Sequence, residues 1–270
     1  MPSPPRTARI LPLLLFLLLV AVPGRAQEPA PAEPVLGQKG KDVQWVPTPA
    51  ALTEKMLDLA GVTPKDYVVD LGSGDGVLVI AAAKRGARAM GIEYDANLVA
   101  VSKRNAAAAG VARLTRFIQG DIFKKNFSDA TVITTFLLPS MNLQLRPKFL
   151  AMKPGTRIVS NTFQIGEWEP DETVMLEEPC ERWCRALLWI VPARVGGLWR
   201  TGRGELSLTQ RFQVVTGMLG GEAIVEGRLR GDTITFTAGA VRYTGRVEGY
   251  RISGTYEADG RTGNWNAIHR

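Results

Sequence analysis

From Pro49 onwards the apolar positions follow two successive regimes. In the first, short apolar runs alternate with stretches of helical spacing. Leu52, Met56 and Leu59 form a helical stripe that Gly61 ends, after Thr48-Pro49 as a cap followed by a first-turn proline. Residues 67–71 predict a strand, 77–85 a helix ending at Gly86, 88–93 a second strand and 96–109 an alanine-rich helix ending at Gly110. Two further strands are expected at 114–119 and 131–137, a helix at 143–152 interrupted near Pro147, and a fifth strand at 157–162. Strands separated by helical stretches build βαβ units and a mostly parallel sheet, which 173–178 and 185–191 finish as an antiparallel pair.

In the second regime, after Val195, helical periodicity disappears. Short alternating strands take over at 205–212, 223–229, 233–236, 241–247 and 251–256, punctuated by glycine. Gly227-Arg-Leu-Arg-Gly231-Asp-Thr-Ile234 matches Gly245-Arg-Val-Glu-Gly249-Tyr-Arg-Ile252 at an offset of eighteen residues. That offset is two strands and two turns, the mark of a hairpin meander. The expectation is a small antiparallel β domain over 194–270, barrel-like or sandwich-like.

The N-terminus differs from both regimes. Arg6 and Arg9 precede a thirteen-residue apolar run, 10–22, and Gly24-Arg25-Ala26 offers a small-x-small cleavage site. The run is short of the roughly 20 residues that span a bilayer, so 1–26 reads as a cleaved signal peptide and 27–41 as a Pro-rich linker. Arg25, Lys39 and Lys41 place positive charge beyond the apolar run as well. An uncleaved anchor that holds the chain to a membrane, and an organellar presequence, therefore stand beside export to a periplasm. The remaining expected boundaries are 42–193 for the α/β domain and 194–270 for the β domain.

Composition narrows the chemistry. The 270 residues, 45% hydrophobic and 22% charged, suit a globular chain with ample core, but they include one histidine, His269, and two cysteines, Cys180 and Cys184. That scarcity disfavours Ser-His-Asp and Cys-His nucleophilic machinery and a four-ligand zinc site. If the chain is an enzyme, its reactive chemistry is expected to arrive with a cofactor, and no metal site is expected. The C-x-x-x-C spacing is not a redox or zinc motif; export would make a local disulfide conceivable, but a four-residue step along a strand would hold the cysteines apart, so free thiols are the favoured expectation. The formal charge of +7 is concentrated from Arg185 onwards, where 12 arginines face 7 acids. They are spread singly along strands rather than clustered with aromatics, which reads as a solvated basic face and not as a nucleic-acid surface.

The motif that carries chemistry is Val68-Val-Asp-Leu-Gly-Ser-Gly-Asp-Gly76, at the first strand-to-helix turn. Gly72 and Gly74, with Ser73 between them, let backbone N–H groups approach a ligand. Val77 stands where a dinucleotide fingerprint needs its third glycine, and no Gly-Lys-Ser/Thr follows for a P-loop. Asp70 would repel a pyrophosphate and suits a cation. Glu93 ends the second strand, where an acid accepts hydrogen bonds from ribose hydroxyls, and Asp121 follows the third strand within reach of an adenine amino group. An ammonium, a ribose and an adenine without phosphates describe S-adenosylmethionine. Each carboxylate alone has a plain structural reading as turn cap or strand-end charge; their joint spacing favours binding.

With these residues in place, the chain resembles the class I S-adenosylmethionine-dependent methyltransferases over roughly residues 42–193. More specifically, it resembles bacterial relatives of the mitochondrial lysine methyltransferase that modifies the ATP synthase c-subunit. Val46-Pro-Thr-Pro49, Asp70-Leu-Gly-Ser-Gly-Asp-Gly76, Gly91-Ile-Glu-Tyr-Asp95 and Thr134-Thr-Phe-Leu-Leu-Pro-Ser140 carry that likeness. The resemblance implies a Rossmann-like, seven-stranded α/β sheet with cofactor contacts at Asp70, Gly72, Ser73, Gly74, Glu93 and Asp121. It also implies a substrate edge at Thr135, Leu138 and Pro139, where Leu137-Leu138-Pro139 lines a channel and Thr135 or backbone carbonyls accept from an amine. The function it implies is methyl transfer to an amine, a protein lysine above all, by direct in-line displacement. The rival readings are an inactive nucleotide fold whose β module binds an envelope partner, and a methyltransferase acting on a small molecule or lipid. Trp168 reads equally as a substrate-facing aromatic or a packed loop anchor, and His269 has no expected catalytic role. Oligomeric state is not legible.

Overall fold

A computed structural model describes Met1 and residues 31–177, 180 and 182–270. The expected signal segment 1–26, Met1 apart, lies outside the described residues, as do residues 27–30 of the expected linker. Seven strands form one sheet: β1 (Tyr67–Leu71), β2 (Arg88–Glu93), β3 (Thr115–Gln119), β4 (Val132–Thr135), β5 (Arg157–Asn161), β6 (Glu172–Met175) and β7 (Arg185–Ile190). Their order is β3-β2-β1-β4-β5-β7-β6, parallel from β3 to β5, with β7 antiparallel to β5 and β6.

Four helices flank the sheet: α1 (Ala50–Leu59), α2 (Val77–Lys84), α3 (Ala96–Ala108) and α4 (Pro139–Leu150). Alternate strand residues serve opposite faces. Val68, Ala89, Val132 and Val159 pack with Leu52 and Met56 of α1 and Val79 of α2, whereas Val69, Ile92, Ile133 and Ile158 pack with Leu145 and Phe149 of α4. Both faces are covered, which is why the central strands read as near-continuous apolar runs. Three helix boundaries depart from expectation. Pro49 rather than Thr48 is the cap of α1. Helix α4 begins at Pro139, where a missing N–H costs nothing, so β4 ends at Thr135 rather than Leu137. Nor does Pro147 interrupt α4, because Leu145 and Phe149, both fully buried, anchor the turns on either side of it.

The second regime forms a closed barrel of β8 (Gly197–Thr201), β9 (Gly204–Arg211), β10 (Val214–Leu219), β11 (Glu222–Arg230), β12 (Thr233–Ala238), β13 (Val241–Glu248), β14 (Arg251–Ala258) and β15 (Arg261–His269). It is an up-and-down meander, closed where β15 pairs with β8, Trp199 opposite His269. The repeat falls on β11–β12 and β13–β14, with Gly231 and Gly249 in matching left-handed turns at φ 62° and 59°. Three strands escape the sequence reading. Strand β8 is short, β10 carries Gly217, and β15 is rich in asparagine, a poor strand former. The interior is filled by side chains including Trp199, Leu206, Ile234, Phe236, Tyr243 and Trp265.

Barrel and sheet share a packed seam. Phe212 stacks on Trp168 at 5.8 Å and 16°, and Trp168 tilts against Trp189, whose Nε1 donates to the Trp168 carbonyl at 2.6 Å. Trp168 is wholly buried, so it is a packed anchor and not a substrate-facing aromatic. Gln213 Nε2 donates to the Glu169 carbonyl at 2.7 Å, and Arg228 pairs with the buried carboxylate of Asp171 at 2.8 Å.

Two expectations need correction. The described part of the expected linker is docked: Asn97 of α3 exchanges two hydrogen bonds with the backbone of Ala32, at 3.0 and 2.8 Å, and Arg104 pairs with Glu33. Cys180 and Cys184 are not free thiols but a disulfide, with Cα atoms 5.9 Å apart. The cysteines lie in the loop between β6 and β7 rather than in a strand, and Trp183, at φ 58°, turns the chain back between them.

Candidate active site

The C-terminal ends of the parallel strands hold the site, as expected for an open α/β sheet. After β1 the chain turns through Gly72 and Gly74, at φ 77° and 53°, before α2 starts. A Cβ at Gly74 would stand 2.7 Å from Trp45 Nε1, so the turn needs glycine for both its conformation and its close neighbour. Gly72 N–H donates to the Ile92 carbonyl at 2.9 Å, and Ser102 Oγ donates to the Gly74 carbonyl at 2.8 Å, which fixes the turn against β2 and α3.

Glu93, at the end of β2, is bound on both oxygens. Its Oε2 accepts from Gly74 N–H at 2.9 Å, and its Oε1 accepts from Tyr94 N–H at 2.7 Å and Asp95 N–H at 3.0 Å. Burial still raises its pKa, against the lowering effect of those three bonds. Asp70 lies deeper, 3% exposed, and accepts from Thr134 Oγ1 at 2.6 Å. Burial pushes its pKa up to about 7; the Thr134 bond opposes the shift, and the charges of Glu93 and Asp75 add to it. An acid poised in this way gains from a cationic ligand.

A cleft opens between the strand ends and a hairpin over 37–45, enclosing about 750 Å³ of space continuous with solvent. Within the hairpin, Gly37 N–H donates to the Trp45 carbonyl and Trp45 N–H to the Gln38 carbonyl, at 2.9 and 3.0 Å. Lys41 ties it down: its Nζ donates to Asp121 Oδ2 at 3.0 Å and stands 4.8 Å from the Tyr94 ring centroid. Asp121 Oδ1 accepts from Phe123 N–H at 2.9 Å, and the Lys41 bond holds the Asp121 carboxyl below the usual range.

The structure does not bring all the expected residues together. Gly72, Glu93 and Asp121 line the cleft, along with Leu137 and Met141; Asp70 lies beneath it. Ser73 does not turn its hydroxyl to the cleft, since a Cβ at Gly91 of β2 would meet Ser73 Oγ at 2.4 Å. Thr135 is buried at 1% exposure, with no hydrogen-bond partner for its hydroxyl. Leu138 is 43% exposed, and Pro139 lines a second cleft, about 870 Å³ of space continuous with solvent, with Leu143, Phe163, Gly166 and Arg185. Sequence reasoning missed Trp45, Lys41 and Thr134. Trp45 directly precedes the Val46-Pro-Thr-Pro49 run, which was the one available signal.

The donor set fits S-adenosylmethionine: a glycine turn without side chains, a strand-end carboxylate with lone pairs left over, and a buried acid for a cation. Sheet order and site together define an S-adenosylmethionine-dependent methyltransferase, and proteins of known name agree. Residues 70–172 match the ANTKMT methyltransferase domain. A protein-lysine N-methyltransferase of Saccharolobus islandicus (strain REY15A) is 39% identical over 139 residues, covering 50% of this chain and 86% of that protein. The lysine N-methyltransferase of the ATP synthase c-subunit from Mus musculus is 39% identical over 107 residues, 39% of this chain and 43% of the mouse protein. A Salinibacter ruber crystal structure, described as an RNA methyltransferase with S-adenosyl-L-homocysteine, is 46% identical, covers 56% of this chain and 96% of that one, and superposes with a TM-score of 0.52. The chain belongs to the same methyltransferase family as the Saccharolobus protein. It spans less than half of the mouse relative's length.

Proposed function

We propose that the chain methylates the side-chain amine of a protein lysine. The observation that carries this reading is the match to the Saccharolobus protein-lysine N-methyltransferase across 86% of that protein's length. Bound S-adenosylmethionine supplies a methyl group already activated on sulfonium, so no histidine or metal is required of the chain. The acceptor ammonium would first lose its proton to water. The neutral amine nitrogen would then bond to the methyl carbon as the carbon–sulfur bond breaks in line, the electron pair staying on sulfur and the positive charge passing to the methylated nitrogen.

The chain's own contribution is placement and exclusion of water. With the cofactor in the cleft, Glu93 would hold its ribose and Asp121 its adenine, Asp70 beneath would supply charge toward its cationic end, and Leu137 and Met141 would wall it. The test is transfer of tritiated methyl from S-adenosylmethionine to lysine-containing proteins, followed by acid hydrolysis. Label is expected in N-methyl-lysine. Label in nucleosides would instead favour the acceptor named for the Salinibacter structure, and cofactor binding without transfer to any protein would overturn the lysine reading.

For localisation we infer export through residues 1–26. The Cys180–Cys184 disulfide supports this, since such bonds persist in oxidising compartments. No helix among the described residues is long and apolar enough to cross a membrane. Mass spectrometry of the mature N-terminus is expected to read Gln27; an intact Met1 would favour an anchor.

A further inference from the structure

Three aromatic side chains from separate segments meet beside the second cleft. Phe136 follows β4, Phe163 follows β5, and Trp183 belongs to the disulfide loop between β6 and β7. Phe136 and Phe163 stack with centroids 6.0 Å apart at 20°. Trp183 meets Phe136 edge-on at 5.5 Å and Phe163 at 5.4 Å. All three are only half-buried, so ring surface stays open to a ligand, unlike the fully buried Trp168 and Trp189.

The backbone is held in costly conformations to bring them there. Thr162, which precedes Phe163, has φ 61°, and Trp183 has φ 58°, two of the five left-handed non-glycine residues among those described. Such strained conformations concentrate at ligand sites. Reciprocal bonds hold it in place: Thr162 N–H donates to the Arg185 carbonyl at 2.7 Å, and Arg185 Nη2 donates to the Thr162 carbonyl at 2.8 Å. Asn142 Nδ2, from α4, donates to the Phe163 carbonyl at 3.3 Å. At the same strand ends, Thr135 Oγ1, Asn161 Oδ1 and Thr162 Oγ1 are buried without hydrogen-bond partners.

Position and chemistry then select a ligand. Phe163 lines the second cleft, and Phe136 directly precedes Leu137, which lines the cofactor cleft, so the rings stand at strand ends that serve both clefts. Their π-faces attract a cation within about 6 Å of a centroid, best one whose methyl groups weaken its hydration. No lysine or arginine among the described residues stands over these rings; those that stand over aromatics do so at Tyr94, Tyr67, Phe212, Phe127 and Tyr256. The loop's sequence adds Glu177, Glu178 and Glu181 against Arg182.

We infer that Phe136, Phe163 and Trp183 form a docking platform for alkylammonium groups: the ammonium of the acceptor side chain on arrival and the methylated ammonium it becomes. This role rests on the amine-acceptor reading. The methylated product keeps its charge and gains apolar surface, so the platform holds it at least as well as the unmodified amine.

The experiment needs no identified protein substrate. Intrinsic fluorescence of the whole chain is titrated with choline and, separately, with its neutral carbon isostere 3,3-dimethylbutan-1-ol. Choline is expected to bind saturably and at least tenfold tighter than the isostere. Trp183→Ala and Phe163→Leu, the second keeping bulk but not the π-face, are each expected to weaken choline at least tenfold. S-adenosylhomocysteine affinity, measured on the same samples, should stay within twofold and certifies the fold. Equal binding of choline and isostere overturns the platform, as does unchanged choline affinity in both variants. If choline binds as stated but no lysine is methylated, the lysine reading fails and the platform stands. If lysine is methylated with an unchanged KM in both variants, the platform fails alone.

Discussion

Asp70 shows how far one residue's chemistry follows from its place. Its type and spacing are legible because the glycine turn is contiguous with it, but its depth is not. That depth depends on β4 lying beside β1, which places Thr134 against it. The free carboxyl titrates near 3.8 and the buried one near 7, so between those values the folded chain binds more protons than the unfolded one. Stability contributed at Asp70 is therefore greatest at low pH and falls as pH rises through about 7. Asp70→Asn is expected to gain in melting temperature relative to the native chain between pH 5 and pH 8, measured without cofactor. A pH-independent difference would mean that Asp70 titrates normally. At Gly74 the expectation is the reverse of a tolerant loop position. Gly74→Ala would meet left-handed strain of about 1–2 kcal/mol and displace Trp45. Its unfolding midpoint should fall accordingly, and its cofactor affinity with it.

At the scale of elements, the sheet was readable and the segments that cover it were not. Apolar runs and glycine stops mark β1, β2, β4 and β5 because both faces are buried, so burial and sequence pattern coincide there; in the edge strand β3 only Phe117 is buried. The hairpin over 37–45 and the β6–β7 loop carry no such periodicity; their structure comes from contacts with distant residues, Asp121 for the hairpin and Phe136 and Phe163 for the loop. The disulfide loop illustrates the consequence. Cys180 and Cys184 are four residues apart, so their bond closes a very short loop and constrains the unfolded chain little. Reduction should barely move the melting temperature yet free Trp183 from its turn. Choline binding is expected to weaken on adding dithiothreitol while S-adenosylhomocysteine binding is unchanged. Equal choline affinity in both redox states would show that the disulfide does not position Trp183.

For the whole molecule, the barrel's existence was legible in its glycine-punctuated alternation, whereas its closure was not, because β15 offers mainly Trp265 and Ala267 to the core. Its docking was equally hidden, resting on single residues, Phe212 against Trp168 and Arg228 against Asp171. Phe212→Ala should cost about 1–3 kcal/mol, less than a fully buried phenylalanine, and split one calorimetric unfolding transition into two. A single transition at the native temperature would show that the seam does not couple the two bodies. The chain thus pairs a near-neutral α/β catalytic body with an arginine-rich barrel fixed to its β6 edge, and catalysis is assigned to the first. The most direct test of that assignment is a calorimetric titration with S-adenosylhomocysteine of the native chain, Asp70→Asn and Glu93→Ala. The native chain should bind one equivalent, and each variant should bind about 1–3 kcal/mol more weakly through lost charge-assisted bonds. Native affinity in both folded variants would contradict it.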